Sequence, residues 1–304
     1  TRLAAPGDVH VFVQGATRMQ PFLREGSLGS PGTAAAAVTV GAAAPDGLGS
    51  AAFSARGPTE DGRAKPELLA RIFPEDMVAV VLGEAEVGQA FSRLPFDHLL
   101  FTGSTAVGRL VMAAASTHLT PVTLELGGKS PVLVAPGQPL RHVAERIIAG
   151  KLVNAGQTCI APDYVLVPRH ECEALVNELR AAAMRAYPVI HDNPDYSAII
   201  SERHRQRLQG LLDEAGRQGA RIVPLSAETG CRGGKLAPAL VLDAPAGSAI
   251  MQEEIFGPIL PILTYDSLDQ AIHKINSMPH PLALYVFTSD KTAARKVTAR
   301  CGFG

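Results

Sequence analysis

The sequence predicts an α/β protein built from parallel strand–helix–strand units, and three features of it carry that prediction. From about residue 71 onward, short apolar runs alternate with amphipathic stretches. The apolar runs are continuous rather than alternating, as strands buried on both faces require. The first 65 or so residues differ, being rich in Gly, Ala, Pro and Ser with turn signals at SPGT, PDGLG and RGPTEDGR.

In chain order, AVTVGA (37–42) and AAFSARG (51–57) read as strands joined by a loop. MVAVVLG (77–83) reads as a buried strand and EVGQAFSRL (86–94) as a short helix. HLLFTG (98–103) is a strand that runs directly into a helix, STAVGRLVMAAAS (104–116). PVTLELGG (121–128) and SPVLVAP (130–136) are strands, and LRHVAERIIAGKLVNAG (140–156) is a helix. DYVLVP is a strand, followed by a helix over 170–187 whose apolar residues recur at three- and four-residue spacing. ILPILTY (259–265), SLDQAIHKINS (267–277) and LALYVFTSD (282–290) read as strand, helix and strand. KTAARKVTARCGFG starts a further helix that Gly302 could cap, and the stop soon after gives the chain the look of a cut one.

With 304 residues the chain can hold two domains and a sizeable core. A net charge of -1 gives no electrostatic case for nucleic acid or an anionic membrane. No apolar run approaches the ~20 residues that span a bilayer, and TRLAAPGDVHVFVQG lacks the pattern of a signal peptide. The four cysteines (Cys159, Cys172, Cys231, Cys301) show no CxxC spacing and the histidines no metal-ligand pairing, so a cytoplasmic protein without a metal is expected.

Four stretches could carry chemistry. In FTGSTAVG (101–108) a strand turns at Gly103 into a helix whose first N–H groups, with the Ser104 hydroxyl, would face an anion such as a pyrophosphate. A plain strand-to-helix turn explains the same residues, since the spacing is GxxxxG. In VTLELGGKSP (122–131) Glu125 ends an apolar strand before two glycines: either a partly buried general base or a solvent-facing carboxylate. VNAGQTCIAPDY (153–164) sets Cys159 in a polar run that suits a fixed loop, where a nucleophilic thiol is served by dipoles, partial exposure and a base. Cys172 and Cys301 read as packing residues and Cys231 as a loop residue. In QEEIFGP (252–258) Glu254 and Phe256 either line a ligand pocket or form a solvated acidic turn over a buried ring.

Taken in order, FTGSTAVG, LELGGKSP, NAGQTC and EEIFGP resemble the aldehyde dehydrogenase superfamily over about residues 66–304, and residues 74–108 resemble its coniferyl aldehyde branch. The resemblance implies a partial aldehyde dehydrogenase fold, with the second half of a Rossmann-like NAD(P)-binding domain over 71–127 and a truncated α/β catalytic domain over 128–304. It implies oxidation of an aromatic or medium-chain aldehyde to its acid with NAD or NADP, and a homodimer for the complete family member. Cys159 would be the nucleophile and Glu125 the general base. Gly103 and Ser104 would meet the pyrophosphate, with Val107 and Gly108 packing behind. Glu254 would bond the nicotinamide ribose, Phe256 would pack near the ring, and Leu126 and Gly127 would border it. The upstream Asn that supplies a second oxyanion donor in the family has no counterpart, and KPE (65–67) stands outside the family's ribose motif. Little or no turnover is therefore expected of this chain alone.

Residues 1–70 resemble something else. SPGTAAAAVTVGA and FSARGPTEDGRAKPELLA are similar to scaffold segments of subtilisin-like serine proteases, without their catalytic residues. A chimeric reading frame, joined near PELLARIFPED, accounts for both resemblances. The alternatives are a protease fragment and a non-catalytic nucleotide-binding remnant.

Overall fold

A computed structural model describes residues 85–304 and two short paired strands, β1 (Gly57–Pro58) and β2 (Ala64–Lys65). The strands expected at 37–42 and 77–83, the rest of the segment expected at 51–57, and nearly all of the protease-like stretch lie outside the described residues. The chain divides into two compact units, one holding residues up to Phe101 with Leu110–Thr123, the other Thr102–Arg109 with Leu124–Gly304.

The first unit contains α1 (Ala85–Phe91), most of whose residues are exposed, and the first residues of β3 (Leu99–Gly103). Phe91 and Phe96 pack at 4.7 Å between ring centroids, and the Thr120 hydroxyl donates to the Phe96 carbonyl at 2.9 Å. The unit also holds the end of α2 (Thr105–Ala115) and the start of β4 (Val122–Leu126), which pairs with β3.

The second unit is built on a sheet of six strands among the described residues: β12 (Tyr285–Phe287), β5 (Pro131–Val134), β6 (Tyr164–Pro168), β11 (Ile259–Tyr265), β10 (Ala239–Leu242) and β7 (Arg221–Pro224), in that order. The first five run parallel and β7 antiparallel. Because side chains alternate along a strand, each central strand serves two cores. Val132, Val134, Val165 and Val167 face α3 (Leu140–Leu152) and α4 (Cys172–Ala186). Leu133, Tyr164 and Leu166 face α7 (Leu268–Asn276) and α8 (Lys291–Arg300). A third core gathers around α5 (Glu202–Arg217) and α6 (Ala249–Gln252), and β8 (Cys231–Arg232) with β9 (Lys235–Leu236) forms a small hairpin.

The parallel strand–helix order agrees with the sequence expectation, and ILPILTY forms a strand over its full length. Three expectations change. The helix expected over 140–156 stops at Leu152, because Asn154, Ala155 and Gly156 have φ of 49, 53 and 75° and turn the chain out of the helix. Gly302 does not cap α8: Cys301 there is extended, and a side chain at 302 would instead strike the His280 ring. Cys231 sits in the β8 hairpin, half-buried, rather than in a loop, while Cys172 and Cys301 are buried as expected.

Candidate functional site

The residues singled out in the sequence lie in the second unit, and most of them sit on three turns at the amino ends of β5, β6 and β11. The first, Glu125–Gly128, is the end of β4 and the turn that leaves it. The second, Asn154–Ile160, leaves α3. The third, Glu253–Gly257, leaves α6.

The second turn is held rigid from inside. Gln157 is buried; its amide nitrogen donates to the Asn154 and Ala198 carbonyls at 3.0 Å each, and its amide oxygen accepts from Ile200 N–H at 2.9 Å. Asn154 and Ala155 hold left-handed backbone without being glycine, at a cost of about 1 kcal/mol or more each. Gly156 is required twice over: its φ is left-handed, and an added Cβ would lie 2.3 Å from the Gly257 carbonyl oxygen. The second and third turns thus meet backbone to backbone. Gly156→Ala should cost about 2 kcal/mol or more of stability, seen as a lower melting temperature.

Cys159 follows on a tight turn closed by Ala161 N–H to the Thr158 carbonyl at 3.0 Å, and its side chain is exposed. Partial burial raises its thiol above the ordinary range. The carboxylates of Glu254 and Glu125 push the same way, while the N–H groups of Cys159 and Ile160, both directed at the sulfur, favour the thiolate. Two carboxylates therefore lie within electrostatic reach of the thiol. Tyr285 anchors the turn from β12 by donating to the Ile160 carbonyl at 2.6 Å.

Glu254 folds over the first turn. Its oxygens lie 2.2 and 2.5 Å from where a Cβ on Gly127 would be, and Gly128 N–H donates to its carboxylate. Burial raises Glu254 above the usual carboxylate range. Leu126 fills the space beside Gly108, where an added Cβ would lie 2.8 Å from it. Gly103 and Ser104 are exposed at the start of α2, and Ser104 caps that helix by accepting from Val107 N–H at 3.3 Å and Gly108 N–H at 2.9 Å. Gly108 is buried, but the Val107 side chain is 45% exposed. Among the described contacts, Gly108 joins the cluster through Leu126, and none ties Gly103, Ser104 or Val107 to Cys159.

Phe256 is half-buried with a left-handed φ of 52°. Its carbonyl accepts from His204 Nε2 at 2.7 Å, so the imidazole carries its proton there; burial keeps His204 neutral by lowering it. Arg207, one turn along α5, donates to the Ile255 carbonyl and, at 3.2 Å, to the Glu254 carbonyl.

Sequence reasoning missed His204, Arg207 and Tyr285, because strongly polar helices and single strand tyrosines are common on surfaces. It also missed a buried pair, Lys129 with Asp163, for which a charge inside the apolar runs GGKSP and APDY was the available signal. Lys129 Nζ contacts the Asp163 carboxylate and donates to the carbonyls of Ile250 at 2.8 Å and Glu253 at 2.9 Å. The Asp163 carboxylate also accepts Ile255 N–H at 2.9 Å. This pair sets the height of the third turn.

Lys151, near the end of α3, is 1% exposed, and its amine has no hydrogen-bond partner among the described residues. Burial pulls it down to about 8. The folded state then binds fewer protons than the unfolded between about 8 and the ordinary lysine value of 10.5, so stability rises with pH across that window and the penalty is fully present below it. Chemical denaturation at a series of pH values should show that rise, and Lys151→Met should abolish it.

A partly exposed thiol within electrostatic reach of two carboxylates suits covalent chemistry on a carbonyl. Among the described residues no group of side chains could hold a metal ion, and no helix is long and apolar enough to cross a membrane. The profile of the "Aldehyde dehydrogenase family" matches residues 66–304. "Probable coniferyl aldehyde dehydrogenase" of Pseudomonas aeruginosa is 55% identical over 236 residues, 78% of this chain and 49% of that protein. "Coniferyl aldehyde dehydrogenase" of a Pseudomonas species is 46% identical over 238 residues, 77% of this chain and 50% of that protein. The substrate-bound structure of Staphylococcus aureus AldH superposes with a TM-score of 0.71 at 42% identity, covering 76% of this chain and 50% of that one. The chain thus spans about half the length of the curated relatives it matches. With the matched profile running through all three turns, the chain belongs to the aldehyde dehydrogenase family.

Proposed function

We propose that this chain carries the nucleophile, the base and part of the cofactor site of an NAD(P)-dependent aldehyde dehydrogenase, acting on aromatic aldehydes of the coniferyl kind or on medium-chain ones. The meeting of the three turns that carry Glu125, Cys159 and Glu254 supports this most: Gly156 abuts Gly257, Glu254 folds over Gly127, and both carboxylates act on the thiol.

The residues fit a nicotinamide dinucleotide. Gly103, Ser104 and the first N–H groups of α2 offer donors to a phosphate. Glu254, folded over Gly127, offers two acceptors to ribose hydroxyls, and Phe256 and Leu126 offer apolar surface to the ring. The bound cofactor supplies the hydride acceptor.

The remaining chemistry falls to the chain's own groups. Cys159 Sγ loses its proton to a base and forms a bond to the aldehyde carbon, giving a thiohemiacetal. Its raised pKa means that the resting thiol is protonated, so the base matters. Once that carbon is oxidised, the acyl group remains on sulfur as a thioester. Glu125 takes a proton from water, the water oxygen attacks the acyl carbon, and the C–S bond breaks to release the acid and return the thiol. The N–H groups at Cys159 and Ile160, now directed at sulfur, are the donors nearest to a developing oxyanion.

Brief iodoacetamide treatment with peptide mapping tests the reading. Cys159 should label before Cys172, Cys231 and Cys301, and NAD or NADP should slow that labelling several-fold. Equal labelling of Cys159 and Cys231, unaffected by either dinucleotide, would count against it.

A further inference from the structure

We propose that His204 and Arg207 are positioning residues: from one face of α5 they grip the backbone of the third turn and so fix where the Glu254 and Phe256 side chains stand. The inference rests on the proposed reading of those two side chains as groups that meet the nicotinamide ribose and ring. Residues three and four apart share a face of a helix, and on α5 the face of His204, Arg207 and Leu208 meets the turn. Arg207 Nη2 donates to the carbonyls of Ile255 and, at 3.2 Å, Glu254, and His204 Nε2 donates to the carbonyl of Phe256 at 2.7 Å. Leu208 fills the space beside Gly257, where an added Cβ would lie 2.6 Å from its methyl groups. Three successive carbonyls of the turn are thus held by two side chains of one helix.

The turn needs that grip. Phe256 holds a left-handed φ of 52°, a conformation that residues other than glycine resist. Packing alone would be served by a glycine there, since the Phe256 ring is only half-buried. His204 steadies the ring as well as the carbonyl, standing edge-on to it with centroids 6.0 Å apart and planes at 62°. Arg207 joins the two contacts: its Nη1 reaches the Glu253 carboxylate at 3.3 Å, and its Nε lies 3.5 Å from His204 Nδ1. From the other side Lys129 takes the Glu253 carbonyl and Asp163 takes the Ile255 N–H. With the backbone held on both sides and Ile255 buried, Glu254 and Phe256 are the side chains whose placement the grip decides.

Hydrogen exchange of the full chain, followed by peptide mass, tests the grip with neither cofactor nor aldehyde. Ile255 N–H is the reporter, because its bond to Asp163 has to break before it exchanges. We expect exchange in the peptide covering residues 252–258 to quicken several-fold in His204→Leu and about 10-fold or more in Arg207→Met, which loses charged donors. Peptides from α3 and β6 should keep their rates. His204→Gln, which keeps an N–H donor in place of Nε2, should exchange as the wild type does. The concentration of NAD or NADP that half-protects Cys159 from iodoacetamide should rise in step in His204→Leu and Arg207→Met, and stay in place in His204→Gln.

Unchanged exchange over 252–258 in both His204→Leu and Arg207→Met would overturn the assignment. So would a His204→Gln variant as impaired as His204→Leu, because the ring would then be packing and not gripping. A loosened turn that left dinucleotide protection unmoved would overturn it too. If neither His204→Leu nor Arg207→Met folded, both residues would be structural and the proposal would fall. A wild-type chain that neither dinucleotide protects would contradict the proposed function instead, and the exchange rates would still decide the grip.

Discussion

Replacing Cys159 by alanine should remove the burst of nitrophenolate released when the chain meets p-nitrophenyl acetate, and lower any residual rate at least about 1,000-fold. The thiol attacks the ester carbonyl as it would an aldehyde, and nothing else on the three turns is a comparable nucleophile. The other three cysteines cannot substitute, since Cys172 and Cys301 are buried and Cys231 lies in the β8 hairpin. The fold should be untouched, because the exposed Cys159 side chain contributes little packing, so circular dichroism and melting should match the wild type. Serine at the same place should do no better, its hydroxyl being a far weaker nucleophile than a thiol. Retention of the burst in the alanine variant would place the nucleophile elsewhere.

Breaking the buried pair should have the largest effect on stability. Lys129→Met leaves the Asp163 carboxylate without its cation, and Asp163→Leu leaves Lys129 without its anion; both groups are nearly solvent-free. Each single change should cost about 3–5 kcal/mol, because an uncompensated buried charge remains. For a unit of this size that corresponds to a fall of roughly 10 °C in melting temperature. The double replacement should recover much of the loss by removing both charges, although Ile255 N–H and the carbonyls of Ile250 and Glu253 would still lack partners. The third turn carries Glu254, so the single variants should also lose cofactor protection of Cys159. Equal stability of the single and double variants would show that the pair is not coupled.

The alternation of strand and helix was legible because it depends on local periodicity. ILPILTY and DYVLVP are short apolar runs that only a buried parallel strand uses well, and both lie centrally in the sheet. Between about 188 and 251 the sequence yields no helix or strand, for the opposite reason. The α5 sequence ERHRQRLQGLLDEAGR buries only Leu208, Leu211 and Ala215, and a stripe that thin is easily taken for a polar loop. Its Ser201 cap, accepting from His204 N–H at 3.2 Å, was the available signal.

The end of the helix before Cys159 was hidden as well. Nothing about Asn-Ala-Gly demands three successive left-handed residues, and the conformation is imposed by Gln157 and by contact with Gly257, both tertiary effects. At the site, Cys159, Glu125 and Glu254 stood out because a thiol or carboxylate is conspicuous among glycines. Lys151 did not, since a lysine on an amphipathic helix reads as solvent-facing until the fold turns it inward.

The most direct test of a thiol-centred aldehyde oxidation is the intact mass and peptide map of Glu125→Gln after mixing with coniferyl aldehyde and NAD or NADP. With the base removed, hydrolysis stalls, and the account predicts an acyl group of the aldehyde's mass less one hydrogen, held on Cys159 as a thioester that hydroxylamine releases. An unmodified Cys159 in that variant, or an adduct that forms equally without either dinucleotide, would contradict it.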